Sequence, residues 1–146
     1  MIDYLSAEFL IIERLENTIS GIKILSTAEL ASVSDRSQIT PAIHVIYAGD
    51  KVESEGGQMR SHIFIRQKWL VVLAVRDIRD IRNGATKNSM AGEILLQMHT
   101  FLAGYQLSKD HGFLRREPGP SPRYLKNFVR FPLMFSTKIE MKGFLN

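Results

Sequence analysis

Histidine is the side chain best suited to move a proton or hold a metal ion near neutral pH, and the chain carries four, His44, His62, His99 and His111. A zinc-binding helix sets two of them three or four residues apart on one face, and no two are so spaced. They fall on two predicted strands, a helix and a loop. His44 and His62 are expected to face each other across a hairpin, as hydrogen-bonded or exposed residues rather than as ligands. Two carboxylate pairs come next, Glu53 with Glu55 and Asp77 with Asp80. The first lies in a polar stretch with no apolar wall to raise one pKa above the other, so it reads as solvation. The second is interleaved with Arg76, Arg79 and Arg82, which points to salt bridges. Ser34-Asp35-Arg36 and Ser108-Lys109-Asp110-His111 gather polar groups, yet neither sets a nucleophile on a rigid elbow beside its base. No G-x-S-x-G, P-loop, G-x-G-x-x-G or H-E-x-x-H occurs. The absence of cysteine excludes disulfide frameworks, thiolate zinc sites and cysteine nucleophiles, and it suits a reducing compartment. These residues predict no enzyme, no cofactor and no metal site.

Binding chemistry is better represented. Arg66, Lys68, Arg130 and Lys138 are expected on one solvent face of a sheet with Phe64 and Phe128 nearby, a loose parallel to the stacking platforms of RNA-binding sheets. The aromatics do not form a stacking signature, and cations on exposed strands also discourage edge pairing. Charge is divided along the chain. Residues 1–55 hold nine acids and four bases, whereas residues 56–146 hold six acids and fifteen bases, giving the overall +4. Such polarity suits copies that meet head to tail, or a basic surface that meets an anionic partner.

A chain of 146 residues with 45% hydrophobic and 23% charged content fits one core. Its longest nearly apolar stretch, Trp69 to Val75, has seven residues, where a membrane-spanning helix needs about 20. The amino terminus lacks a basic region and small-residue cleavage site, so all 146 residues are read as mature protein.

The elements follow from periodicity. Ile2, Leu5, Phe9, Ile12, Leu15 and Ile19 recur at three- and four-residue steps and predict one stripe of a helix from about Asp3 to Thr18, ended by Gly21. Ile22–Leu25 predicts a short strand, with a helical turn around Ala28–Ala31. Pro41–Ala48 predicts a proline-opened strand, and 49–58 an exposed hairpin loop too polar to join a core. From Met59 to Arg76, Ile63, Ile65, Trp69, Val71, Leu73 and Val75 alternate with polar residues. Beyond Trp69, Leu70, Val72 and Ala74 make the other side apolar too, which predicts a central strand covered on both faces. Trp69 is expected in the core, its indole N–H on a carbonyl. A second helix is expected over Ala85–Leu102, with Met90, Ile94, Leu95, Met98, Phe101 and Leu102 inward and Gly104 at its end. Residues 105–126, rich in Gly and Pro, predict an ordered but irregular excursion or a partner arm. The last strand, Asn127–Met141, turns Val129, Phe131, Leu133, Phe135, Ile139 and Met141 inward, with Pro132 marking a bulge or an incompletely paired position. The expected fold is α+β: one domain, with a twisted, mostly antiparallel sheet of about four strands packed with two amphipathic helices.

Certain segments, in this order, resemble the tail terminator (tail completion) proteins of long-tailed bacteriophages and prophages. They are Pro41-Ala42-Ile43-His44-Val45, the polar stretch Gly49–Gln58, Gln67-Lys68-Trp69-Leu70-Val71-Val72, Ala91-Gly92-Glu93-Ile94-Leu95-Leu96 running to Leu102-Ala103-Gly104-Tyr105, and Phe128-Val129-Arg130-Phe131-Pro132-Leu133-Met134-Phe135. Tyr105 departs from the tryptophan frequent there in the family. The resemblance implies a structural protein of the virion tail, assembled in the host bacterial cytoplasm. It would form a homo-oligomeric ring, a hexamer, on the last ring of the tail tube, halt polymerisation and offer the surface onto which the head docks. Implied partners are itself, the tail tube protein and the head-tail connector protein, with DNA only passing through the lumen and no membrane. The divided charge places Glu8, Glu13 and Glu16 of one subunit against Arg66, Lys68, Arg76, Arg79 and Arg82 of the next. Asp50, Lys51, Glu53, Glu55, Arg115 and Arg116 are the expected contacts with tube or connector. A head-to-tail connector or neck protein, or a basic nucleic-acid-binding module, is the alternative reading.

Overall fold

The computed structural model describes residues 3–34, 41–55, 62–76, 84–125 and 128–142. Helix α1 (Ser6–Thr18) leads to strand β1 (Lys23–Ser26), a 3₁₀ segment (Leu30–Ser34), and the long strands β2 (Ala42–Glu55) and β3 (His62–Arg76). Helix α2 (Gly84–Leu102), the short strands β4 (Arg115–Glu117) and β5 (Arg123–Leu125), and strand β6 (Phe128–Lys142) complete the order. The sheet has six strands in the order β1-β2-β3-β6-β4, with β5 also on β6. Only β1–β2 is parallel among these pairs; the rest are antiparallel. The α+β expectation therefore holds with a larger sheet than the expected four strands. The extra strands, β4 and β5, come from the Gly/Pro-rich segment. Each is three residues long, too short to show alternation, and each takes its conformation from the edge of β6.

β3 is central, between β2 and β6, because both of its faces are apolar beyond Trp69. Its odd residues Trp69, Val71 and Leu73 meet α1 and α2 through Ile11, Leu15, Ala91, Ile94, Met98 and Leu102 in the main core. Its even residues Leu70, Val72 and Ala74 form a second cluster with Ile46 and Val33, the latter from the 3₁₀ segment that covers them. The indole N–H of Trp69 finds no carbonyl; it has no hydrogen-bond partner among the described residues, and the ring instead packs on Tyr47 with centroids 5.1 Å apart.

Several expectations need correction. In α1 the buried stripe is Ala7, Ile11, Leu15 and then Ile19, while Leu5 and Phe9 face solvent, Phe9 at 78% exposure. Both sets have helical spacing, and periodicity alone does not say which set meets the sheet. In α2, Met90 is half exposed and Ala91 takes its place inward. The polar stretch after Ala48 is no loop through Glu55: β2 continues along β3, with register shifts between Tyr47 and Asp50 and between Val52 and Ser54. Gly49 enters the first shift at φ 99°, a conformation that favours glycine. Residues 56–58 of that expected loop lie outside the described residues. His44 pairs with Val72, whereas His62 starts β3 and pairs with Lys142, so the two histidines sit far apart along the hairpin. Pro132 lies between the parts of β6 paired by β5 and by β4, where the outer edge has no strand partner among the described residues.

Candidate interaction surfaces

The sheet has one side covered by helices and another covered only in part, by the 3₁₀ segment. The pairing register puts Arg66 opposite Lys138, Lys68 opposite Ser136, Ala74 opposite Arg130 and Arg76 opposite Phe128. These residues, with Phe64, therefore share the side away from the helices, as expected for Arg66, Lys68, Arg130, Lys138, Phe64 and Phe128. Arg130 and Phe128 are nevertheless buried there.

Charged groups on this side form two unlike regions. Toward the free end of the β2–β3 hairpin, four strands contribute to one network. Arg66 Nε donates to Glu53 Oε1 at 2.8 Å, and its Nη1 donates to Ser136 Oγ at 3.2 Å. Ser136 donates to Glu117 Oε2 at 2.6 Å, and Arg115 Nε donates to the same carboxylate at 2.7 Å. Lys138 Nζ lies 3.9 Å from Glu53 and 4.5 Å from the centre of the Phe64 ring. The hydrogen bond from Arg66 holds the Glu53 carboxyl below its ordinary value. The hydroxyl of Ser136, then Arg115, does the same for Glu117. Network membership limits what these cations offer a partner: the Arg66 side chain is only 14% exposed.

At the other end, β5 places Arg123 directly opposite Arg130 on the same side of the sheet. Arg130 is buried, and its Nη1 donates to the Leu30 carbonyl at 2.9 Å. Burial, then the charge of Arg123, pushes its pKa down. Arg76 and Arg123 are exposed, and no carboxylate among the described residues pairs with any of the three.

The helical side differs. Glu13 and Glu16 are exposed on α1, on the outward face that also carries Leu5 and Phe9. Glu8 points sideways and accepts a hydrogen bond from Ser26 Oγ. Asp50 accepts from the hydroxyls of Tyr4 and Tyr47, the latter at 3.2 Å, which ties the start of α1 to β2. Arg116 is exposed, its guanidinium 6.0 Å from the Phe135 ring centre, whereas the exposed Lys51 is opposite Arg66 and so belongs to the open side. Glu55 ends β2 opposite Ile63. Arg79 and Arg82, with Asp77 and Asp80, lie outside the described residues. The structure thus joins Arg66, expected at the subunit contact, to Glu53 and to the Ser136–Glu117–Arg115 group, Glu53 and Arg115 being expected at tube or connector, and it separates Arg66 from Arg76. It also adds Glu117, Ser136 and Arg123, whose roles arise from cross-strand register and leave no local sequence signal.

The buried histidines serve structure. His44 Nδ1 meets Thr27 Oγ1 at 2.6 Å. His111 bridges Ser108, at 2.7 Å from Nδ1, and Ser6, at 3.4 Å from Nε2. Burial lowers the pKa of both. Among the described residues no cluster of three or more His, Cys, Asp or Glu could hold a metal ion. No helix among them is long and apolar enough to cross a membrane.

A helix pair on one side of a mixed sheet, with hydrogen-bonded charges spread over the other, defines a scaffold whose chemistry is that of surfaces. More narrowly, the chain belongs to the phage tail terminator proteins, whose family model matches residues 1–143. It is therefore a structural component of the phage virion tail. No curated protein matches it.

Proposed function

We propose that copies of this chain close into a ring, a hexamer, on the head-proximal end of the tail tube, where the ring ends tube polymerisation and presents the surface to which the head docks. The observation that carries the reading, beside family membership, is the placement of opposite charges on opposite sides of one small domain. Acids Glu13 and Glu16 face out from α1, and Lys68, Arg76 and Arg123 stand on the far side of the sheet. A self-complementary pair of unlike surfaces makes a heterologous contact, which closes into a ring when the rotation per subunit allows. Growth then stops because the ring's outer face is not the tube protein's own docking face. The tube or connector meets the end of the sheet that carries the network around Glu53, Arg66, Arg115 and Lys138 on one side and Asp50, Glu55 and Arg116 on the other, with Lys51 beside Arg66. Assembly in the host cytoplasm and DNA passing through the lumen belong to the same reading.

Electron microscopy of particles made without the protein tests it. Overlong tails are the expected result, and tails of normal length that lack heads would instead assign a neck role.

A further inference from the structure

We infer that Arg76, Arg123 and Arg130 form a carboxylate-binding seat at one end of the sheet's open side, and that its occupants are Glu13 and Glu16 of a second copy of this chain. The inference rests on the ring reading and names its contact. A directly opposed pair of like charges is unfavourable in an antiparallel ladder, and a buried guanidinium normally has an anion beside it. Arg123 and Arg130 stand in that relation, and Arg130 is satisfied by the Leu30 carbonyl alone among the described groups, which supplies no negative charge. Arg76 is diagonal to Arg130, since Arg76 faces Phe128 and Ala74 faces Arg130. All three point to the same side. The acids Glu53 and Glu117 on that side belong to the other end, where Arg66, Arg115, Lys138 and Ser136 already engage them. Among the described residues, a cationic cluster that no carboxylate pairs with thus lies beside one that is compensated, and the contact falls on Arg76 and Arg123 rather than on Arg66.

The spacing fits two carboxylates. Directly opposed residues in a ladder are about 5 Å apart and diagonal ones about 7–8 Å. Glu13 and Glu16, three residues apart on a helix, present their side chains about 5–6 Å apart. Both are exposed, on the face of α1 that also carries Phe9, an aromatic anchor of the kind that dominates protein contacts. The seat and the helix face lie on opposite sides of the domain, so one subunit can give its helix to one neighbour and its seat to the other.

The test is a charge swap between two variants of the full chain. Variant one carries Glu13→Arg and Glu16→Arg; variant two carries Arg76→Glu and Arg123→Glu. All four positions are exposed, and unchanged near-UV circular dichroism checks that each variant folds. Self-association is read by native mass spectrometry and sedimentation of the wild type, each variant alone, and an equimolar mixture. Each variant alone meets like charge with like, so its self-association should fall roughly a hundredfold. In the mixture every contact is again between opposite charges, and a ring of alternating variants forms. Such a ring has even subunit number, as a hexamer does. Variants that self-associate as well as wild type, or impaired variants that the mixture does not rescue, overturn the seat and leave the ring reading standing. A wild-type chain that stays monomeric alone and on isolated tail tubes removes the ring reading, and the seat with it.

Discussion

The guanidinium of Arg14 stacks on Tyr105, its central carbon 3.9 Å from the ring centroid, while Nε donates to the Phe101 carbonyl at 3.0 Å. Phe101 is in the last turn of α2, where carbonyls lack helical partners and the helix dipole favours a cation. One side chain of α1 thus caps α2. The turn that brings Tyr105 back needs Gly104 at φ 80°, whose N–H reaches the Leu114 carbonyl at 2.7 Å.

Loss of the Arg14 side chain should therefore loosen the helix pair. Arg14→Met keeps much of the apolar stem but removes charge and donor, and should cost about 1–3 kcal/mol in urea unfolding. Tyr105→Leu should cost less, about 0.5–2 kcal/mol. Tyr105→Trp, which offers the strongest cation–π face, should be neutral or stabilising. A destabilising Tyr105→Trp would show that the hydroxyl or ring size, rather than the stacked cation, sets the residue.

Acid should weaken the charge network on the open side of the sheet below the ordinary carboxylate range. Glu53 and Glu117 have folded pKa values below their ordinary 4.5, through hydrogen bonds from Arg66 and Ser136 respectively. A carboxyl with a lowered folded pKa gives stability that is complete above the ordinary value and is lost as pH falls through the folded one. The double variant Glu53→Gln, Glu117→Gln should be less stable than wild type at neutral pH, and the gap should narrow below pH 4.5. Urea midpoints across that range measure it, and a gap independent of pH would assign the loss to packing alone.

His44 and His111 act in a higher window. Burial lowers both from 6.5, with Asp110 opposing the shift at His111. The unfolded chain takes up protons at 6.5 before the folded chain does, so their contribution is complete above that value and drains away as pH falls toward the folded values. His111→Gln should lower stability at neutral pH, where it loses the link between Ser108 and Ser6, and should flatten the decline that sets in as pH falls through 6.5. A decline as steep as wild type would place the titration elsewhere.

The long apolar strands were legible because strict alternation in β6 and two-sided apolarity in β3 have few other structural meanings. The outer half of β2 was not legible. Asp50, Lys51 and Glu53 look like a loop until Glu53 is seen paired with Arg66, a partner supplied by the neighbouring strand. β4 and β5 were hidden for a related reason, since their conformation comes from the edge of β6 rather than from Arg115–Glu117 or Arg123–Leu125. For the surfaces, composition showed that charge was divided and which acids lie on α1. It did not show that Arg123 faces Arg130, because that meeting depends on the register of an edge strand.

Helix α1 was the instructive ambiguity, and mutation separates its two readings. Leu5, Phe9 and Ile12 form as regular a stripe as Ala7, Ile11 and Leu15, and Phe9 is the largest side chain among them. Packing favours the second set because Ala7 lets the first turn come close to the sheet, while Tyr4 and Glu8 hold its flank to Asp50 and Ser26. Ile11→Ala and Leu15→Ala should each cost about 2–5 kcal/mol, as side chains with no exposed surface do. Phe9→Ser should change stability by no more than about 0.5 kcal/mol, or even raise it, because no core contact is lost. Its effect should appear in self-association instead, as weaker rings from a chain that unfolds like wild type. Should Phe9→Ser unfold the isolated monomer as readily as Leu15→Ala does, the outward face of α1 would be part of the core, and Glu13 and Glu16 could not be the acids that reach a neighbour.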